Sequence, residues 1–323
     1  MSQKVVVCGA GFLGSNIARA IVGANAARNR RVVQLSSRHP EKVHQSALQS
    51  LPHEQQARLL PPVSVDITQP DTLTPALQDA SVVVSLVGIL HGTEADFDRI
   101  QWKGAQNVAR AAQSVGAKLI HFSAIGANPK SRLPYERTKG LGELAVLEAC
   151  PSATVIRPSL VFGPGDDFFN RFARLSRVLP FMPVFGGGKT LFQPVYVDDI
   201  AQAVEIISRG DEAIRKLVDG KIIEAGGPDV ITYRQVMELV LKYSKRWRPI
   251  ISVPYAVGEL QGFILEKLPP NLFTLTRDQV EQLKHDNIIN PNPGPNSVAF
   301  QGLLQTYASR RLASVHEYLL SRS

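Results

Sequence analysis

An α/β fold built on a doubly wound parallel sheet, with a smaller, discontinuous C-terminal lobe, is what the sequence predicts. Three observations carry that prediction. Over residues 1–160 short β-branched runs alternate with amphipathic stretches. A glycine-rich turn follows the first run, and after Arg157 the alternation gives way to chain rich in Gly and Pro.

In chain order, the first strand is Lys4 to Cys8, whose Val5, Val6 and Val7 make it apolar on both faces, as a central parallel strand must be. The next five are Arg31 to Ser36, Leu59 to Val65, Ser81 to Val87, Lys118 to Ser123 and Thr154 to Arg157. Each is too short and too apolar for a surface helix. Phe12 to Val22 and Trp102 to Val115 carry 3.6-residue periodicity, and Gly116 stands where the second helix would stop. Past Arg157, Gly163-Pro164-Gly165 and the segment Pro180 to Gly188 bracket a helix-like stretch, Phe169 to Leu179, which reads as an excursion from the sheet. Gln193 to Asp199 followed by Ile200 to Ser208 reads as strand, turn and helix, and Lys221 to Ala225 as a strand returning to the core. Prolines from Pro249 to Pro295, with Pro269 and Pro270 among them, predict short helices joined by extended turns. The predicted division is a core of residues 1–163 completed by about 193–225, and a lobe of 164–192 and 226–323.

Composition narrows the function. With 44% apolar and 20% charged residues the chain can bury a core, which excludes disorder, and its glycines and prolines have no period, which excludes a collagen-like chain. Two cysteines, Cys8 and Cys150, frame neither a disulfide scaffold nor a zinc site, so no metal is expected and a reducing compartment fits. The longest apolar stretch, Val82 to Leu90, is too short to span a bilayer, which takes roughly 20 helical residues. Val5 follows Met1 too closely for an ordinary signal or transit peptide, so import into an organelle is expected to use an internal signal or a precursor segment. The net charge of +8 comes without a run of five like charges; it reads as a dispersed basic surface, and no nucleic-acid partner is predicted.

Directly after the first strand, Gly9-Ala10-Gly11-Phe12-Leu13-Gly14 opens a helix, the context a dinucleotide fingerprint requires. Gly9 would allow the turn, Gly11 would let a pyrophosphate reach backbone N–H groups, and Gly14 would let helix and strand pack closely. At the end of the second strand, Leu35-Ser36-Ser37-Arg38 lacks the carboxylate that NAD sites set against the ribose. Ser37 and Arg38 instead suit a 2′-phosphate, so NADP(H) is expected over NAD(H), the alternative being that Arg38 is a solvated loop charge. Asp66-Ile67 and Leu86-Val87-Gly88 follow the third and fourth strands, where adenine and ribose would lie; Asp66 also reads as a cap for a helix beginning near Pro70. Ser123 ends the fifth strand, and Tyr135 and Lys139, four apart, would share one helix face. In that order the three residues suit carbonyl chemistry: Lys139 would lower the phenol pKa and hold the nicotinamide ribose, Tyr135 would move the proton, and Ser123 would hold the carbonyl. A surface i,i+4 pair is the alternative. His121 reads as a core histidine and Cys8 as a small buried hydrophobe.

These residues together resemble the short-chain dehydrogenase/reductase superfamily in its extended, atypical branch, and the likeness extends to Gly104-Ala105-Gln106-Asn107-Val108, Arg157 to Pro164 and Gln193 to Ile200. The resemblance implies a Rossmann fold. Phe168-Phe169-Asn170-Arg171-Phe172, Leu275 to Val280 and Asp286-Asn287 resemble the branch that holds the Rossmann-fold accessory subunit of respiratory complex I and a related fungal protein of coenzyme Q synthesis. That likeness implies a mitochondrial setting on the matrix side of the inner membrane, with a cytoplasmic one as the alternative. It implies a respiratory-chain or ubiquinone-biosynthesis complex as partner, and a held NADPH that need not turn over. A free-standing reductase or epimerase is the other expectation. The chain departs from the extended branch at Cys8, where a glycine usually stands.

In the lobe, Gly186-Gly187-Gly188-Lys189-Thr190 resembles part of a phosphate loop but lacks the strand-to-helix context, so a flexible turn is expected. Lys242, Lys245, Arg246 and Arg248 flank Trp247, with Tyr255, Phe263 and Leu265 beyond. That mixture suits peripheral contact with an anionic membrane, a partner subunit, or a plain packed lobe with a basic rim.

Overall fold

The computed structural model describes residues 2–24, 31–265, 272 and 274–320; Pro269 and Pro270 lie outside them. The predicted sheet is present, with seven parallel strands: β1 (Gln3–Cys8), β2 (Arg31–Ser37), β3 (Leu59–Ser64), β4 (Ala80–Ser85), β5 (Lys118–Phe122), β6 (Thr154–Pro158) and β7 (Ile222–Ala225). Their order is 7-6-5-4-1-2-3, so the winding reverses between β1 and β4. In such sheets ligands bind at that switch point, beyond the carboxyl ends of the strands.

Successive side chains of a strand face opposite ways. Val6 and Cys8 of β1 accordingly pack with Val83, Leu119, Val108 and Val146 beneath the helices α2 (Ala105–Ser114) and α3 (Pro134–Ala149). Across the sheet, α1 (Phe12–Gly23) packs on α4 (Val197–Ile207). A buried ion pair ties this second layer to the sheet: the Arg31 guanidinium meets the Glu205 carboxylate and donates to the Glu205 carbonyl at 2.8 Å and to Ser208 Oγ at 2.7 Å. Residues Asn290–Arg311 return to the same unit. Ile222 N donates to Asn296 O at 2.9 Å, Val298 N to Ile222 O at 3.0 Å, and α5 (Phe300–Ala308) packs on α4. This return falls within the stretch 226–323 that the sequence alone groups with the lobe.

The second unit comprises Ser159–Tyr196, Gly226–Ile289 and Leu312–Ser323. Two helices, Phe168–Val178 and Tyr233–Tyr243, and short two-stranded ladders surround an aromatic cluster in which Phe162 contacts Phe169, Tyr196 and Tyr318. The Gly186–Gly188 run forms a left-handed turn, with φ of 54°, 77° and 69°. No helix follows it, because Leu191–Phe192 continues as strand, so the turn reading holds over the phosphate loop.

α1 lies close against the end of β1. A Cβ on Gly14 would sit 2.1 Å from the Gly9 carbonyl oxygen, and Gly9 itself has φ of 126°. Because that neighbour is backbone, Gly14→Ala is expected to lower stability by about 1–3 kcal/mol, measured by urea unfolding. An unchanged midpoint would mean the helix can move away at no cost.

Candidate functional site

At the switch point three chain crossings are pinned by backbone hydrogen bonds. Gly9 N donates to Ser36 O at 2.8 Å, Leu86 N to Cys8 O at 2.9 Å, and Val65 N to Ser37 O at 2.9 Å. These bonds set the glycine turn, Ser37-Arg38, Asp66-Ile67 and Leu86-Val87-Gly88 along one edge of the sheet. The strand predicted to run to Val87 ends at Ser85, so Leu86-Val87-Gly88 are loop residues of that edge. Gly11, Arg38 and Gly88 are exposed; Phe12, Leu13, Ser37, Asp66, Leu86 and Val87 are half-buried, and Gly14 and Ile67 are buried.

The three glycines of the turn differ in what they do. Gly9 and Gly14 are required by the protein itself, as above. A Cβ on Gly11 would meet nothing within 4 Å, so packing does not explain the glycine there. The first-turn N–H groups of α1 have no side-chain cap, which leaves positive potential facing the open position.

Asp66 is not the cap of the helix that follows. That helix, Pro70–Leu77, begins after Gln69, while the Asp66 carboxylate accepts from Thr68 N at 2.9 Å and Thr68 Oγ1 at 2.8 Å. Those bonds, with the Arg38 and Arg99 guanidinium groups nearby, hold its carboxyl below the usual carboxylate range. Arg38 therefore lies within electrostatic reach of Asp66 at the ends of β2 and β3.

Farther along the edge, Ser123 follows β5 and donates its backbone N–H to Ile156 O at 2.8 Å. Its Oγ is buried and has no hydrogen-bond partner among the described residues. Tyr135 and Lys139 share a face of α3 as expected. Lys139 Nζ donates to Phe122 O, beside Ser123, at 3.2 Å, and the Tyr135 ring packs edge-on against Phe97 with centroids 6.3 Å apart. The arrangement thus brings Lys139 to the end of β5, but no hydrogen bond joins Ser123 to Tyr135. Burial, with the Glu136 carboxylate adding to it, pushes the Tyr135 phenol up to about 12. Burial brings the Lys139 ammonium down to about 8, opposed by Glu143. The expected lowering of the phenol by Lys139 is therefore not seen: desolvation and Glu136 both raise it, and Lys139 is not among the groups that act on it. His121 is buried, with Nδ1 3.4 Å from Ser85 Oγ; burial and Lys139 hold its pKa down to about 3, and it stays a neutral core imidazole. Burial pushes the Cys8 thiol up to about 12, which removes thiolate chemistry at neutral pH.

Two features of the site were missed in the sequence. Before α2 the chain makes a π-helical turn, Asp98–Gly104, that buries Gln101. Gln101 Nε2 donates to Thr138 Oγ1 at 3.1 Å, while its Oε1 has no hydrogen-bond partner among the described residues. A Cβ on Gly88 would lie 3.0 Å from Lys139 Nζ and 3.3 Å from Gln101 Oε1, so both groups stand behind that exposed loop. The predicted helix from Trp102 to Val115 missed this turn, since a wider turn shifts the apolar spacing that marks a helix. The second feature is the bidentate pair of Arg157 with Glu143, at 2.8 and 2.6 Å, which locks α3 to β6. A lone Arg before a Pro gives no sign of it; only the long-range pairing does.

Comparison with known proteins agrees with this architecture. Residues 5–224 match the NAD dependent epimerase/dehydratase family. An Arabidopsis thaliana protein described as NADH dehydrogenase (ubiquinone) 1 alpha subcomplex subunit 9, mitochondrial, is 30% identical over 243 residues, covering 72% of this chain and 59% of that protein. The Neurospora crassa NADH-ubiquinone oxidoreductase 40 kDa subunit, mitochondrial, is 25% identical over 234 residues, 71% of this chain and 59% of that one. The matched region thus spans about three fifths of these relatives' length, 59% in both. The crystal structure of UDP-glucuronic acid 4-epimerase from Bacillus cereus in complex with NAD superposes with a TM-score of 0.68 at 18% identity, covering 98% of this chain and 96% of that one, a likeness of fold. With the family matched over most of the sheet unit and the glycine turn at its switch point, the chain belongs to the NAD dependent epimerase/dehydratase family of extended short-chain dehydrogenases/reductases.

Proposed function

We propose that this chain binds NADP(H) and serves as a structural or assembly subunit of a mitochondrial complex of the respiratory chain or of ubiquinone biosynthesis. The observation that carries the cofactor reading is Gly11. It is a glycine that neither backbone conformation nor protein packing demands, at the uncapped start of α1, where a pyrophosphate would need open space. The buried, unpartnered Ser123 Oγ and Gln101 Oε1 farther along the edge fit a polar ligand as well.

In this reading Gly9 to Gly14, with Phe12 and Leu13, hold the pyrophosphate, and Ser37 and Arg38 hold the 2′-phosphate. Asp66, Ile67, Leu86, Val87 and Gly88 line the path of the adenosine and ribose. Lys139 spends one of its three N–H groups on Phe122 O and keeps the others for ribose hydroxyls. A bound nicotinamide dinucleotide supplies hydride donor or acceptor capacity. Tyr135, with its phenol pushed up to about 12, holds its proton at neutral pH.

The partner half of the proposal rests on relatives that are named as subunits of a mitochondrial respiratory enzyme and that match over 72% and 71% of this chain. A second reading, a free-standing NADP(H)-dependent reductase or epimerase of a small carbonyl or sugar compound, is favoured by the presence of Ser123, Tyr135 and Lys139 together.

Three outcomes test these readings. Gly11→Ala should leave the unfolding midpoint unchanged while weakening dinucleotide binding roughly tenfold or more in calorimetric titration, a cost of about 1.4 kcal/mol; full-strength binding by the variant would remove the pyrophosphate from this turn. Arg38→Gln should cost about 1.5–3 kcal/mol in NADPH affinity and leave NADH affinity alone. If the parent protein binds NADH as tightly as NADPH, the preference is wrong. Tyr135→Phe should keep cofactor binding and co-purification with the respiratory or ubiquinone complex; a loss of about a hundredfold in a measured reductase or epimerase activity would instead support the free-standing enzyme.

A further inference from the structure

On α3, Lys139 and Glu143 stand four residues apart, the spacing at which opposite charges on a helix ordinarily meet. Here they form no ion pair. Lys139 Nζ donates to Phe122 O at 3.2 Å, and the Glu143 carboxylate turns to β6, where it accepts two hydrogen bonds from Arg157, at 2.8 Å from Nε and 2.6 Å from Nη2. Glu143 is 4% exposed, and a carboxylate so buried needs a partner. Of the two cations in reach, Arg157 holds it because a guanidinium meets both carboxylate oxygens at once, whereas an ammonium is a point charge. Arg157 is fixed from its other side as well: its Nη1 stands 3.4 Å from Glu224 Oε1 on β7, and Glu224 Oε2 accepts from Asn290 N at 2.6 Å. The Glu143 bonds, more than the Glu224 contact, raise the Arg157 pKa.

The setting of Lys139 makes this choice of partner matter. Burial lowers its ammonium to about 8, and Glu143, which opposes the lowering, is the one charged group that acts on it among the described residues. The other elements around it bring no anion to bear. β5 contributes His121, a buried imidazole held neutral, and α3 contributes Tyr135, whose phenol keeps its proton. The π-helical turn contributes the uncharged Gln101 amide behind Gly88, while its Asp98, Arg99 and Lys103 are not among the groups that act on Lys139. In the short helix Glu94–Phe97, Glu94 is paired with Arg137 at 2.5 Å and Asp96 with Arg99 at 3.0 Å. The charge state of Lys139 is therefore set by where one carboxylate, that of Glu143, is held.

We propose that Arg157 is a positioning residue for Lys139: by clamping Glu143 it keeps that carboxylate from closing an ion pair along α3, and so leaves the Lys139 ammonium free for a ligand at the end of β5. Without the clamp, Glu143 would turn to Lys139 and hold its proton in place. Without Glu143, the guanidinium of Arg157 would instead add positive charge and drive that proton off. The two losses thus act on Lys139 in opposite directions, which a pair that served only to brace α3 against β6 would not produce. The inference rests on the dinucleotide reading above for the ligand that the ammonium meets.

The test follows the Lys139 side chain by NMR in the full chain, labelled with carbon-13 at the lysine Cε atoms and free of ligand, its signal assigned by loss in Lys139→Met. Arg157→Gln should raise the midpoint of the Lys139 titration by about one pH unit or more, and Glu143→Gln should lower it by a similar amount. Arg157→Lys, which keeps the charge and loses the fork, should fall between the parent and Arg157→Gln. Calorimetric titration with NADPH should then show affinity falling as pH rises through each protein's own midpoint, later in Arg157→Gln and earlier in Glu143→Gln than in the parent. Midpoints that move in the same direction, or that do not move, would overturn the proposal, and so would opposite shifts with no matching change in NADPH affinity. Should Arg157→Gln fail to fold, Glu143→Gln decides alone, and a raised or unmoved midpoint there counts against the clamp. A parent protein that binds no NADPH at any pH would defeat the dinucleotide reading, while the ligand-free titration would still decide the part played by Arg157.

Discussion

The switch-point edge of this sheet depends on how closely α1 lies on β1. Gly14 rests against the carbonyl of Gly9, and Gly9 turns the chain through a conformation closed to other residues. That contact fixes where the helix begins. The helix start in turn decides which N–H groups face the switch point between β1 and β4, and so gives Gly11 its open setting.

The rest of the sheet extends this geometry outward. Backbone hydrogen bonds from Gly9, Leu86 and Val65 bring the ends of four strands to one line. On the far side, Arg157 and Glu143 hold α3 against β6, which sets Lys139 beside the end of β5. Burial there has opposite effects on two neighbours, raising the Tyr135 phenol and lowering the Lys139 ammonium. Both groups are thereby biased toward their neutral forms, a state that a ligand with hydroxyl groups could meet without bringing a counter-charge.

Much of this was legible in the sequence because it is local. Parallel strands buried on both faces announce themselves as Val-rich runs, the glycine spacing is read directly, and a four-residue interval puts Tyr135 and Lys139 on one helix face. What stayed hidden is set by contacts distant along the chain. The π-helical turn that buries Gln101 breaks the periodicity by which helices are recognised. The return of Asn290–Arg311 to pair with β7 carries no local signal, since a Pro- and Asn-rich stretch reads as loop wherever it packs. The phenol pKa was expected from the identity of one neighbour, whereas the depth of burial decides it. Trp247 was visible beside its basic neighbours in the sequence, but that it stands exposed was not.

The most direct test of the central claim is native mass spectrometry of the protein purified gently from its own cells. The account predicts one dinucleotide of NADP(H) mass per chain, displaced in the Gly11→Ala protein. A chain that arrives empty and gains no mass when offered NADPH or NADH would contradict it.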